Sequence, residues 1–260
     1  VPWRYPGLGG GALWSTLNRC TVTDNRAAEG GGGAFESLLN NCTIDNNSPG
    51  SDGAFYSCTV NNNQGGISGI ADNCLVTGNR GASEGTFYNC TVVGNESGIT
   101  GTAFNSILYY NSGGNYAGRT TLNYCCTSPR PINGVGNITG PPSFTDMPAG
   151  DFRLSGASPC IDAGTNLVGL PMEGWKFVND LEDWGWGVVG HVTVPSDILG
   201  NTRLIDGNGD GVVGLDIGAY EFDPETTQLV DIPDVGLLAA IRTALGKPAG
   251  DITVADMRSL

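Results

Sequence analysis

The chain has 260 residues, 42 of them glycine, and a formal net charge of −14. Twelve basic residues against 26 acidic ones exclude nucleic acid and anionic lipid as partners, because Lys and Arg hold both. A 39% apolar content excludes a disordered polymer, and no apolar run approaches the roughly 18 residues of a membrane span.

The first residues, Val1-Pro2-Trp3, lack Met and read as the start of a processed or excised piece. From there cysteine sets a register at Cys20, Cys42, Cys58, Cys74 and Cys90, the last four spaced 16 apart. Two positions after each stands Val22, Ile44, Val60, Val76 or Val92, and three before stands Leu17, Leu39, Phe55, Ala71 or Phe87. Cys and Val two apart point to one face of a strand, and both are small and apolar, so that face is buried. One coil cannot bury its own inner face, but a stack of similar coils can. Gly53, Gly69 and Gly85 recur five before the cysteine. Asn25, Asn47, Asn63, Asn79 and Asn95 recur five after it, which predicts a tight turn with left-handed backbone. A sixth copy places Ile107 at the cysteine position, and Cys125 closes the series.

These features predict an all-β fold, a right-handed single-stranded parallel β-helix. Uneven coil lengths, with residues 30–33 as one longer loop, favour that hand, and the six-residue apolar period of left-handed solenoids is missing. Residues 1–126 form the coils, 127–222 a loop-rich C-terminal cap over the open sheet edge, and 223–260 a short helical tail. Five cysteines at one position are expected to be a ladder of free thiols acting as small hydrophobes. Zinc would want paired cysteines or His partners, and the single His191 has none in view. Cys126 and Cys160 fall outside the ladder and are candidates for a disulfide.

Beyond the coils, Phe152 and Leu154 alternate like a final strand. Leu167 to Ile198 is an insertion with Trp175, Trp184 and Trp186, which form either a sugar-stacking platform or its packing onto the cap. Asp206-Gly-Asn208-Gly-Asp210-Gly211 matches the opening of a calcium loop, with the Val212 carbonyl as a further ligand. Asp216 falls one residue before the twelfth position. The other reading is an Asp/Asn/Gly turn that bonds its own backbone. In the tail, Leu238, Ile241 and Leu245 share a helical face, Asp234 can cap its start, and Gly246 with Pro248 stops it.

The Asn-Cys-Thr-Ile-x-x-Asn repeats resemble those of bacterial polymorphic outer membrane protein-type β-helices. Cys126-Thr-Ser-Pro, Gly150-Asp-Phe-Arg-Leu, Ser158-Pro-Cys-Ile-Asp-Ala-Gly and Asp216-Ile-Gly-Ala-Tyr-Glu-Phe222 are similar to the choice-of-anchor type C-terminal region of such proteins. Residues 230–260 look like the helical cap and opening of a leucine-rich repeat domain that would continue past Leu260. The resemblance implies a right-handed β-helix on a large secreted or surface protein of environmental bacteria, without an established activity.

No acids recur at one inward position, so the leading expectation is a non-enzymatic extracellular module for display, adhesion or self-assembly. Its partner is then another copy, and calcium would serve to pin the Asp206 loop. The alternative is a carbohydrate-active β-helix, binding a polysaccharide or cleaving it in the manner of a pectate lyase. A long groove lined by acids and aromatics would favour sugar.

Overall fold

The computed structural model describes residues 9–165, 171–176, 185–190 and 196–260. The chain forms a parallel β-solenoid whose coils build two seven-stranded parallel sheets. The first holds Thr16–Asn18, Ser37–Asn40, Ser51–Tyr56, Ile67–Asp72, Ser83–Tyr88, Ile99–Phe104 and Thr121–Asn123. The second holds Thr21–Thr23, Thr43–Asp45, Thr59–Asn61, Leu75–Thr77, Thr91–Val93, Ile107–Tyr109 and Cys126–Thr127. Every strand pairs with its counterpart one coil on, so Val60, Val76 and Val92 stand in one column.

The corner between the sheets is turned by one residue in the left-handed region: Asn41, Ser57, Asn73, Asn89 and Asn105, at φ between 46° and 58°. Asn visits that region more cheaply than other side chains, which accounts for its recurrence just before the cysteine. Inside, Phe55, Ala71, Phe87 and Ala103 form a column that alternates large and small, so adjacent layers interlock. Cys58, Cys74 and Cys90 form the next column and Ile44, Val60, Val76 and Val92 the third, all within 1% of complete burial.

The expected register fails by one residue in the sixth copy. Thr91 pairs with Ile107, which places Ser106 at the cysteine position. The column explains why a polar residue fits. The thiols of Cys42, Cys58 and Cys74 each accept the backbone N–H of the cysteine one coil earlier, as Cys58 does from Cys42 at 3.4 Å. Ser106 Oγ does the same for Cys90 at 3.1 Å, and Ile107 faces outward.

The expectation for Asn47, Asn63, Asn79 and Asn95 is overturned. The left-handed turn residue there is one earlier, at Asp24, Asn46, Asn62, Gly78 and Gly94. The four asparagines point inward, within 3% of complete burial. Asn47 donates both its backbone N–H and its Nδ2 to Oδ1 of Asn63, at 2.8 and 3.0 Å. The pattern repeats through Asn79 and Asn95 to Asn111 and Asn115, whose Nδ2 ends on the Ser128 carbonyl at 2.7 Å. Each Nδ2 also bonds a carbonyl such as Ile44 or Val60, so the polar row inside the core is satisfied.

Glycine closes the first sheet at Gly53, Gly69, Gly85 and Gly101, all at positive φ. A Cβ on Gly85 would lie 1.9 Å from the Gly69 carbonyl oxygen, so each coil descends onto the last only if this position lacks a side chain.

The predicted cap divides in two. Residues 134–138 cover the stack end, where Val135 and Ile138 carbonyls accept the amides of Tyr124 and Thr127, and Asn137 Oδ1 accepts that of Cys125. The later segments lie along the side of the stack. Phe152, Leu154, Cys160, Ile161, Ile217 and Phe222 pack on Leu75, Val93, Ile107 and Cys126 of the second sheet. The outer column of that sheet records the change. It is Thr21, Thr43 and Thr59 where water reaches it, and Leu75, Thr91, Ile107 and Cys126 where it is covered.

Pro171–Lys176 and Gly185–Gly190 form an antiparallel hairpin. In the tail, Asp234 Oδ1 caps helix Val235–Leu245 by accepting the Leu237 amide, and Gly246 ends it at φ 64°. Ile241 is its buried residue, flanked by half-buried Leu238 and Leu245. A second helix, Val254–Arg258, follows with its own capping box.

Candidate functional site

A dense polar constellation joins the side segment to the coils around Arg203. This guanidinium is 1% exposed. Its Nη1 donates to Asn73 Oδ1 at 3.0 Å, and its Nη2 to the Asp216 and Gly218 carbonyls at 3.1 and 2.7 Å. Asn73 is a corner residue of the stack, so Arg203 keys the segment onto the solenoid across 130 positions. Ala219 N–H donates to Thr91 Oγ1 and Gly218 N–H to the Asn105 carbonyl, which completes the lock.

Carboxylates surround this cation. Glu221 Oε2 lies 3.9 Å from Nε and accepts the Asp216 amide. Asp216 accepts the amides of Asp162 and Phe222, and Asp197 accepts those of Leu199, Asn201 and Glu221. Burial is the main cause of raised pKa values here. It lifts Asp72 and Asp216 to about 6 and Glu221, with Asp216 and Asp162 beside it, to about 9. Arg203 counteracts each rise but cannot neutralise them all.

The candidate calcium ligands do not stay together. Asp206, Asn208 and Asp210 share one exposed loop, while Asp216 is buried beside Arg203. In the loop, Asp206 accepts the amides of Gly209, Asp210 and Gly211, Asn208 that of Asp210, and Asp210 that of Val212. Val212 itself is exposed. These are bonds of a turn to its own backbone, and among the described residues no three His, Cys, Asp or Glu side chains converge on a metal position. Asp216 is directed elsewhere because its two oxygens are needed by buried amides of the side segment.

The tryptophan platform falls mostly beyond description. Trp175 and Trp186 occupy directly opposed positions of the hairpin, and Trp184 and His191 lie outside the described residues. Cys126 and Cys160 are brought together. Both are fully buried free thiols in one apolar cluster.

A groove of about 300 Å³ runs across the coils at the start of the first sheet. Asp52, Ser68 and Glu84 stand in one column along it, Phe35 lies at one side, and Gly31, Gly50 and Gly66 form its wall. A Cβ on Gly50 would meet the Gly66 carbonyl oxygen at 1.7 Å, so close coil packing keeps this wall bare. The sequence shows these acids as scattered in loops, and only the coil register aligns them.

No family model, curated protein or solved structure matches the chain.

Proposed function

We propose that the chain is a rigid, non-catalytic module of an exported or surface-displayed bacterial protein, used for display, adhesion or assembly with further copies. What supports this reading is the asparagine row from Asn25 to Asn115. It spends the interior polar groups of the coils on holding one coil to the next. The resemblance of the repeats to polymorphic outer membrane protein-type β-helices points the same way, as does the −14 charge, which suits an extracellular surface. Sedimentation velocity and negative-stain microscopy across a concentration series test it, with ordered oligomers or filaments expected. A strictly monomeric particle that turns over a polysaccharide would overturn it.

The groove favours a second reading, polysaccharide binding. Asp52, Ser68 and Glu84 offer acceptors for sugar hydroxyls on successive rungs about 4.8 Å apart, and Phe35 an apolar face. A glycan array distinguishes the two: retention of a neutral glycan that Asp52→Ala with Glu84→Ala abolishes would favour the sugar reading.

A further inference from the structure

Eight cysteines divide into two chemical groups. Cys20, Cys42, Cys58, Cys74, Cys90 and Cys125 occupy the inner column, and every one of these thiols donates to a backbone carbonyl. Three of them, Cys42, Cys58 and Cys74, also accept a backbone amide from the coil before. In-register neighbours on parallel strands are poorly angled for the near-perpendicular disulfide dihedral.

Cys126 follows Cys125 directly, and strand alternation turns it out of the stack, in register with Ile107. There it meets Cys160 from the side segment. Cys160 is held from three directions: its N–H donates to Ser158 Oγ, its carbonyl accepts the Ile217 amide, and Ser158 Oγ anchors to the Pro142 carbonyl. Both cysteines are 0% exposed. The two thiols thus come from different parts of the fold, at the seam between the last coil and the segment laid over it.

We propose that Cys126 and Cys160 form a disulfide that staples the side segment to the last coil, made by exchange with a small-molecule disulfide. One thiol loses its proton and its thiolate attacks the reagent, forming a mixed disulfide and releasing one reagent thiol. The second cysteine, as thiolate, then displaces the other reagent thiol. Two protein thiols are oxidised and one reagent disulfide is reduced to two thiols. Cys126 and burial together push the Cys160 thiol up, so thiolate is scarce once the segment is docked. The bond therefore forms during folding, before the seam closes.

The test refolds the full chain from guanidinium with oxidised and reduced glutathione, beside a control in dithiothreitol. Peptide mapping by tandem mass spectrometry is expected to find Cys126 joined to Cys160. Thiol titration in denaturant should count six thiols instead of the eight in the chain. The oxidised form should melt higher, and Cys160→Ser should abolish both the linkage and that increment. Mapping of the unmutated chain does not depend on any variant folding. Eight titratable thiols after oxidative refolding, or linkages through Cys125 or between ladder members such as Cys58 and Cys74, would overturn the proposal.

Discussion

Asn63 gives two hydrogen bonds to one atom of Asn79: its backbone N–H and its Nδ2 both reach Oδ1, each at 2.9 Å. Replacing Asn79 with Ala removes that acceptor and strands two donors in a dry interior. A buried donor left unpaired costs about 1–3 kcal/mol, so the expected loss is about 2–5 kcal/mol by urea denaturation. Asn25→Ala, at the half-buried start of the row, should cost about 1 kcal/mol. Equal losses at both positions would mean that burial does not govern the row.

Gly85→Ala tests the close approach of the coils. The new Cβ would sit 1.9 Å from backbone oxygen at φ 131°, and a carbonyl inside a sheet cannot move aside. A cost on the order of 3 kcal/mol or more is expected. Gly118 also has positive φ but open space around it, so Gly118→Ala should cost only about 1 kcal/mol. Thermal melting of the two variants side by side gives the comparison.

Stability should fall as pH rises across the neutral range. A carboxyl with a raised folded pKa binds its proton more tightly when folded. Its contribution is complete below the unfolded value near 4 and is lost as pH climbs through the folded value. For Asp72 and Asp216 that loss runs up to about 6, and for Glu221 up to about 9. The melting temperature is expected to be higher near pH 5.5 than near pH 9, and Glu221→Gln should flatten the alkaline part of the slope. A melting temperature that increases steadily from pH 5.5 to 9 would show that these groups are not buried together.

Arg203→Met leaves Asn73 Oδ1 and two carbonyls without their donor and the carboxylates without their cation. Breaking such a buried set costs about 3–5 kcal/mol. Hydrogen exchange should quicken at Ala219 and Gly218, whose amides bond to the stack, while Val76 and Val92 keep their protection. Uniform quickening would mean that coils and side segment open as one unit.

The loop at Asp206 to Val212 holds its shape with bonds to its own amides, so the melting temperature is expected to be unchanged by EDTA. Asp206→Ala, which removes the acceptor of three amides, should lower stability by about 1 kcal/mol. A drop on chelation that Asp210→Ala abolishes would instead assign a divalent ion to the loop.

The coil core was legible because its signal is periodic: Cys58, Cys74 and Cys90 recur at a fixed interval, and stacking turns interval into contact. The helix from Val235 was legible through Asp234 and Gly246, whose capping chemistry is local. The asparagines misled because Asn suits both a turn and a buried ladder, and only the coil above supplies the partner that decides. Ile107 misled in a related way. An apolar residue looked right for the core, but the column needs an acceptor, which Ser106 has. The place of the side segment was hidden because Arg203 and Asn73 meet across 130 positions of irregular chain. No pattern in one strand announces such a partner, although the change from Thr59 to Leu75 in the outer column marks where cover begins.

The asparagine row also has a direction. From Asn63 to Asn111 each Oδ1 receives from the asparagine one coil before, and from Asn47 to Asn95 each Nδ2 gives one bond to the asparagine one coil on, at intervals of 16 residues. Excising one whole rung from the middle would rejoin each donor to an equivalent acceptor, whereas excising half a rung would turn the inner columns to the outside. The height of the stack is therefore quantised: loops can vary in length, as they do between Asn25 and Asn47, but the asparagine row survives only the loss or gain of whole coils.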